Sequence, residues 1–391
     1  MRAAIVAALL VTASCRGDRH RNPPPPPPTP VAPTVPKLPR SPDGIAELRA
    51  LDQRIEIHKA NAHDELAYLG QRASARGRLE DYQAMLAISA DWIAKSPNDS
   101  DAWLARAHAL AMVHEFADAK AALAHATGEG VDDEAIALDE ATGHRDRSLA
   151  ARASLAKIRP NDVTLTQYLA SLALAGSFAE ARALIPKAAA LVRDNPPELF
   201  AWLYFQWGRV YEQQGDLATA RAFYEASHAR MPTIETTAHL IAAQLATGQA
   251  DAAKRLVAET LTTDPHPSIV ELAVAVGLAN VAGAKTAWDR YVTALPNAFA
   301  DHAARFYLKV DPKRALELAR INLGNRDTPE ARALVVEAAL AAGDPASACA
   351  VVDPLLAAPQ RGDRFTAWRA LSQCGRGSDA ARLAKDLGIG P

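Results

Sequence analysis

The chain has 391 residues, 49% hydrophobic but only 6% aromatic, and a formal net charge of −2 at pH 7. That length can bury a core as one or two globular domains or one elongated array, and the charge excludes the basic excess of a nucleic-acid binder. Ala, Leu and Val dominate the apolar content, which favours helix. Three cysteines exclude a disulfide-dense small domain, and no stretch reaches the roughly 18 apolar residues of a membrane span.

The chain opens with "MRAAIVAALLVTASC": Arg2, an apolar run from Ala3 to Val11, then small residues up to Cys15. In outline this is a short secretory signal over residues 1–14. "TASC" resembles the lipobox of bacterial lipoproteins, with Thr12 where that family usually carries Leu. The resemblance implies cleavage before Cys15 and acylation of its thiol, which would anchor the chain in a membrane permanently. By the same resemblance to lipoproteins and their sorting, Arg16 rather than Asp after the cysteine implies the periplasmic face of the outer membrane. An ordinary cleaved signal and an unprocessed start are the alternatives. Residues 15–42 follow as a proline-rich tether, with an unbroken run from Pro23 to Pro28. Polyproline II at about 3.1 Å per residue would hold the next domain up to roughly 60 Å from the anchor.

From residue 43 onward the pattern is helical and repeats. In chain order come "WLARAHALAMVHEFADAKAALAHAT", "LTQYLASLALAGSFAEARALIPKAAALVR", "YFQWGRVYEQQGDLATARAFYEASHARMP", "TAHLIAAQLATGQADAAKRLVAETLTTDP" and "RALVVEAALAAGDPASACAVVDPLL". The turn glycines Gly215 and Gly248 stand 33 residues apart, as do the closing prolines Pro232 and Pro265. Such a period signals stacked helical hairpins. In the clearest unit Phe200, Leu203, Tyr204, Trp207 and Tyr211 recur at three and four, forming one helical stripe. Gly208 lies within it and leaves room for the second helix, whose own stripe is Ala220, Phe223, Tyr224 and Ser227.

These positions resemble the tetratricopeptide repeat. Tyr204, Trp207, Gly208, Tyr211, Gly215, Ala220, Tyr224, Ser227 and Pro232 fall in that motif's order. The resemblance implies an all-α, right-handed superhelical solenoid of antiparallel helical hairpins, about nine of them, over residues 43–391. It is weak over 133–160, 268–296 and 298–323, where units are expected to be shortened or bent. An α/α toroid is the alternative array.

Catalytic constellations are missing from the sequence. His58 and His63 stand five apart rather than at the i, i+4 spacing of a helical zinc pair, and neither a phosphate loop nor a nucleophile elbow occurs. No enzyme activity, cofactor, metal or nucleic-acid partner is therefore expected. In tetratricopeptide arrays the first helices line a concave groove, which here implies Trp202, Phe205, Arg209 and Gln213 in the best unit and Leu104 and His108 in an earlier one. Two aromatics and an arginine have the composition of a binding hot spot. Packing of Trp202 and Phe205 on the preceding hairpin, near Leu184 and Ala188, is the alternative. Equivalent positions lack the lysine–asparagine set with which some such domains clamp a C-terminal carboxylate. The expected function is a non-catalytic scaffold binding a protein or peptide partner in its groove; an accessory helical domain or enzyme of envelope processing is the rival.

Two cysteines remain. Cys349 opens a second helix and Cys374 closes the next first helix, so the up-down-up order of the array puts both at one end of adjacent helices. An oxidising compartment would join them. Two free cysteines packed as small core residues are the other reading.

Overall fold

In the computed structural model residues 34–193 and 196–389 are described; Cys15 and the segment 1–14 expected to be a signal lie outside them. Among the described residues there are twenty-one α-helices and no strand. α1 (Gly44–His58) leads into ten antiparallel pairs: α2 (Ala62–Arg76) with α3 (Leu79–Lys95), α4 (Ser100–Met112) with α5 (Phe116–Leu123), α6 (Val131–Ala141) with α7 (Arg145–Ile158), α8 (Asp162–Leu174) with α9 (Phe178–Leu191), and α10 (Pro197–Gln214) with α11 (Leu217–Arg230). The second half continues with α12 (Ile234–Ala246) and α13 (Ala250–Thr263), α14 (Pro267–Ala275) and α15 (Val281–Ala294), α16 (Pro296–Val310) and α17 (Pro312–Asn325), α18 (Pro329–Ala341) and α19 (Pro345–Val351), and α20 (Arg361–Gln373) and α21 (Gly377–Leu387). The hairpins number ten rather than about nine, preceded by a single helix.

The local chemistry explains the boundaries. Asn161 and Thr164 form a reciprocal capping box at the start of α8. Proline opens α10, α14, α16, α17 and α18, where its missing N–H costs nothing. This corrects the expectation for 298–323. That unit lacks a turn glycine, yet α16 and α17 run 15 and 14 residues. Asp311 caps α17 by accepting from the Arg314 N–H at 3.2 Å, and Pro312 starts it. Shortening does appear in the expected unit 268–296, where α14 has 9 residues, and also outside the expected units at α5 and α19, with 8 and 7.

The end of the expected tether is also corrected. Residues 35–41 lie against the array. The Tyr204 hydroxyl donates to the Pro36 carbonyl at 2.7 Å and accepts from the Leu38 N–H at 3.1 Å. Arg230 donates to the Leu38 carbonyl and to Ser41 Oγ, both at 3.1 Å. Leu38 is buried and Val35 packs beside it against the cluster containing Phe200 and Leu169. Two apolar side chains among the prolines gain more from this surface than from water.

The solenoid winds until its second coil rests on its first. Gly44 at the start of α1 meets the link after α11, against the Arg230 carbonyl and Met231. The turn between α2 and α3 meets the link between α13 and α14, where Gly77 touches His266 and Arg76 faces Asp264 at 3.8 Å. His114, between α4 and α5, donates Nδ1–H to the Asn297 carbonyl at 3.1 Å, and Asn325 donates to the His114 carbonyl at 2.7 Å. Burial holds the His114 imidazole down at about 4, so it remains neutral in this role. Gly143, between α6 and α7, lies on the Asp327 carbonyl, and Arg145 pairs with Glu330. Gly176, between α8 and α9, lies on Pro359, while Gln360 donates to the Ala173 carbonyl at 2.9 Å. Each of the first four hairpin turns thus meets the link between the fifth and sixth hairpins further on. The seam has an apolar interior, since Leu79 and Val113 join the cluster of Trp288, Phe299 and Leu316.

At the far end Cys349 of α19 and Cys374 at the close of α20 are disulfide-bonded, with Cα atoms 5.6 Å apart and a sequence separation of 25. In the chain-entropy model a loop of that size contributes about 3.5 kcal/mol. Cys374→Ser is expected to lower the melting temperature by several degrees. Reductant should do the same to the parent protein and nothing to the variant; equal sensitivity of both would contradict the role of the cross-link.

Candidate functional site

α10 positions the site because its two faces are committed differently. On one face Trp207 is fully buried and donates to Thr166 Oγ1 of α8 at 3.0 Å. Next to it, Gly208 lets Tyr224 of α11 come so close that an added Cβ would lie 2.7 Å from the ring. This contact presses the two helices of the hairpin together and turns the Trp202 side of α10 inward.

Inward-facing α2, α4, α6, α10 and α12, together with α1, surround one cavity of about 710 Å3. That volume lies within the range of sites that hold a drug-sized ligand. Its apolar surface comes from Leu51, Leu66, Met85, Leu104, Trp202 and Met231. Its polar surface is dominated by Glu47, Asp101, Glu134, Glu198 and Glu235, with Arg54, His63 and His108 as the basic groups. His108 meets Glu134 at 3.3 Å, and that contact raises the imidazole pKa above its ordinary value. Arg54 is held by Glu47 at 2.7 Å.

Of the six groove residues expected from the sequence, Leu104, His108, Trp202 and Phe205 line this cavity. Arg209 and Gln213 do not line it. Arg209 pairs with Glu212 at 3.2 Å and lies 5.9 Å from the centre of the Phe205 ring. His239 of α12 completes that group, 2.9 Å from Glu212. Burial pushes the Glu212 carboxyl up, but bonds from His239 and Tyr224 and the charge of Arg209 outweigh it and leave the pKa lowered. Arg209 therefore joins α10 to α12. Phe205 has a divided role. It is 4% exposed, with its ring 5.6 Å from Tyr224 and 5.3 Å from His239. It packs on the following hairpin, not on the preceding one. Trp202 does pack toward the preceding hairpin, in the cluster of Ala188 and Leu184, but remains half-buried and open to the cavity.

The carboxylates were missed as site residues. Asp101, Glu134, Glu198 and Glu235 each stand in the first turn of an inward helix. In sequence such acids satisfy the positive end of a helix and need no further purpose. Their common signal is the recurrence at the start of four first helices, which the superhelix gathers around one space. Among the described residues no group of three or more His, Cys, Asp and Glu is placed to hold a metal ion, and no helix is long and apolar enough to cross a membrane.

The hairpins, the small-to-large contact at Gly208 and the inward first helices define an all-α solenoid of the tetratricopeptide-repeat type. No protein-family model matches the chain, and no curated protein matches it. Among solved structures, a chain of the APC/C hetero-tetramer Cut9–Hcn1 is similar at 14% identity and a TM-score of 0.48, over 83% of this chain and 62% of that one. Yeast Tom70 is similar at 12% identity and a TM-score of 0.38, over 88% and 92% respectively. A tetratricopeptide repeat protein from Parabacteroides merdae is similar at 14% identity and a TM-score of 0.34, over 59% and 93%. The chain spans less than two thirds of the matched chain in the Cut9–Hcn1 structure.

Proposed function

We propose that this protein is a non-catalytic scaffold of the cell envelope, holding a segment of a partner protein inside its first coil. The observation that carries the reading is the single cavity into which separate helices project Leu104, His108, Trp202 and Phe205. A concave, largely pre-formed site with aromatic walls suits a segment inserted from outside better than a flat surface contact. The anchor is acylated Cys15, and the location the periplasmic face of the outer membrane. Support for export comes from the apolar run before "TASC" and from the Cys349–Cys374 bond, since such bonds persist in oxidising compartments.

The anchor has a direct test. Cys15→Ser is expected to abolish metabolic labelling with palmitate and to move the protein from the membrane pellet to the soluble fraction. A variant that still sediments with the envelope would refute lipid anchoring. For the scaffold role, cross-linking in intact cells through a photoreactive residue at position 71, where Gln71 is exposed on the cavity wall, should capture one dominant protein partner. The same probe at exposed Ile158, away from the cavity lining, should not capture it.

A further inference from the structure

The cavity's chemistry identifies the class of segment it takes. We infer that it binds a short basic stretch of the partner, with lysine or arginine side chains next to at least one large apolar side chain. The inference rests on the scaffold reading above and adds the occupant's chemistry.

Three observations converge on it. First, the charge in the cavity is one-sided: five carboxylates face a single arginine, and that arginine is already held by Glu47. His108 is held by Glu134. Asp101, Glu198 and Glu235 make no ion pair with any described residue, although each lines the same space. Carboxylates of one sign set around low-dielectric walls focus the field within the cavity and favour a cation there. Each also stands in the first turn of its helix, so the three carboxylates enter the cavity from three separate helices.

Second, the remaining wall is apolar and adaptable. Met85 and Met231 are unbranched and can repack around different shapes. Leu66 and Leu104 add branched surface, and Trp202 offers a half-buried ring over which a guanidinium or ammonium is attracted. A purely polar cation would leave this wall wet, and an acidic or phosphorylated segment would meet the carboxylates. Third, about 710 Å3 accommodates a few side chains and not the full face of a long helix. The occupant is therefore a short stretch rather than an amphipathic helix laid along the whole solenoid.

The test uses the full chain in detergent and three labelled peptides of equal length, followed by fluorescence anisotropy. One alternates lysine with leucine, one glutamate with leucine, and one lysine with serine. The lysine–leucine peptide is expected to bind saturably, with affinity falling as salt is raised; the other two should bind at least tenfold more weakly. The triple variant Asp101→Asn, Glu198→Gln, Glu235→Gln should lose about tenfold in affinity for the lysine–leucine peptide and most of its salt dependence. Circular dichroism checks its fold, and Glu235→Gln alone serves if the triple is unstable. Equal binding of the glutamate–leucine or lysine–serine peptide would overturn the inference, as would a folded triple variant that binds like the parent.

A second variant separates this from failure of the scaffold reading. Ala105→Trp fills the cavity from α4. If it abolishes cross-linking of the cellular partner while the carboxylate variant does not, the cavity is the site and the basic occupant is wrong. If it leaves cross-linking intact, the cavity is not the site. A dimer in sedimentation that Ala105→Trp dissolves would make a second copy of the chain the occupant and overturn the inference.

Discussion

Gly44→Ala combined with Gly143→Ala is expected to uncoil the superhelix while leaving its hairpins folded. Gly44 is the first residue of α1, where alanine by itself would favour helix over glycine by up to about 1 kcal/mol. A Cβ at that position would, however, overlap the Arg230 carbonyl oxygen and lie 2.9 Å from Met231 Cα. At Gly143 it would overlap the Asp327 carbonyl oxygen, and the residue holds φ +91°, which alanine resists. Backbone atoms on the opposite coil cannot rotate aside as a side chain can. Overpacking typically costs about 1–3 kcal/mol per site, and backbone-against-backbone contact lies at the upper end. The two sites share no partner, so the losses should add to about 4–6 kcal/mol.

Two measurements check this result. Small-angle scattering should show a larger radius of gyration, with the helical circular dichroism signal nearly unchanged. Denaturant unfolding should lose cooperativity, because hairpins that no longer touch across coils answer only to their neighbours. An unchanged midpoint for Gly44→Ala would show that the coils do not press on each other there.

This seam is also where the sequence was least informative. One hairpin can be read from its own residues: Gly215 breaks the chain, Gly208 admits Tyr224, and Pro232 ends the unit. The pairing of Cys349 with Cys374 depends only on two adjacent hairpins, so short-range order places both residues. The seam depends on a small rotation repeated over five hairpins, and no single repeat encodes that sum. Asn297, Asn325, Gln360 and Pro359 consequently look like ordinary linker residues, although each meets the first coil.

The groove shows the same limit at shorter range. Positions 202, 205, 209 and 213 follow helical spacing, but Phe205 is turned about 60° from Trp202 around the axis, toward α12. Arg209 shares the direction of Trp202 yet sits about 10 Å further along the helix, and Gln213 about 16 Å. The cavity ends before either. Periodicity gives a face and no length, so it grouped two lining residues with two that lie beyond the space.

Phe205→Ala and Trp202→Ala should therefore have opposite signatures. Phe205 is buried among Ala220, Tyr224, Leu240 and Ala243, and it supports the Arg209 guanidinium. Its truncation opens a void beside the charged group of Arg209, Glu212 and His239. Buried Phe→Ala changes typically cost about 3–5 kcal/mol, and a void next to such a network gives little scope for collapse. The melting temperature should fall by many degrees, and partner binding should weaken only as the fold weakens. Trp202 is half-buried, with part of its ring facing the cavity. Its loss should cost less stability than that of Phe205, while partner affinity falls at least about thirtyfold, the scale of a hot-spot residue. Chemical denaturation and a binding titration on the same two preparations separate the outcomes. Equal destabilisation by both variants, with binding by the folded fraction intact, would assign Trp202 to the core and remove it from the site. The contrast follows from one turn of α10: Phe205 closes the wall between two hairpins, and Trp202 is the part of that wall that a partner can touch.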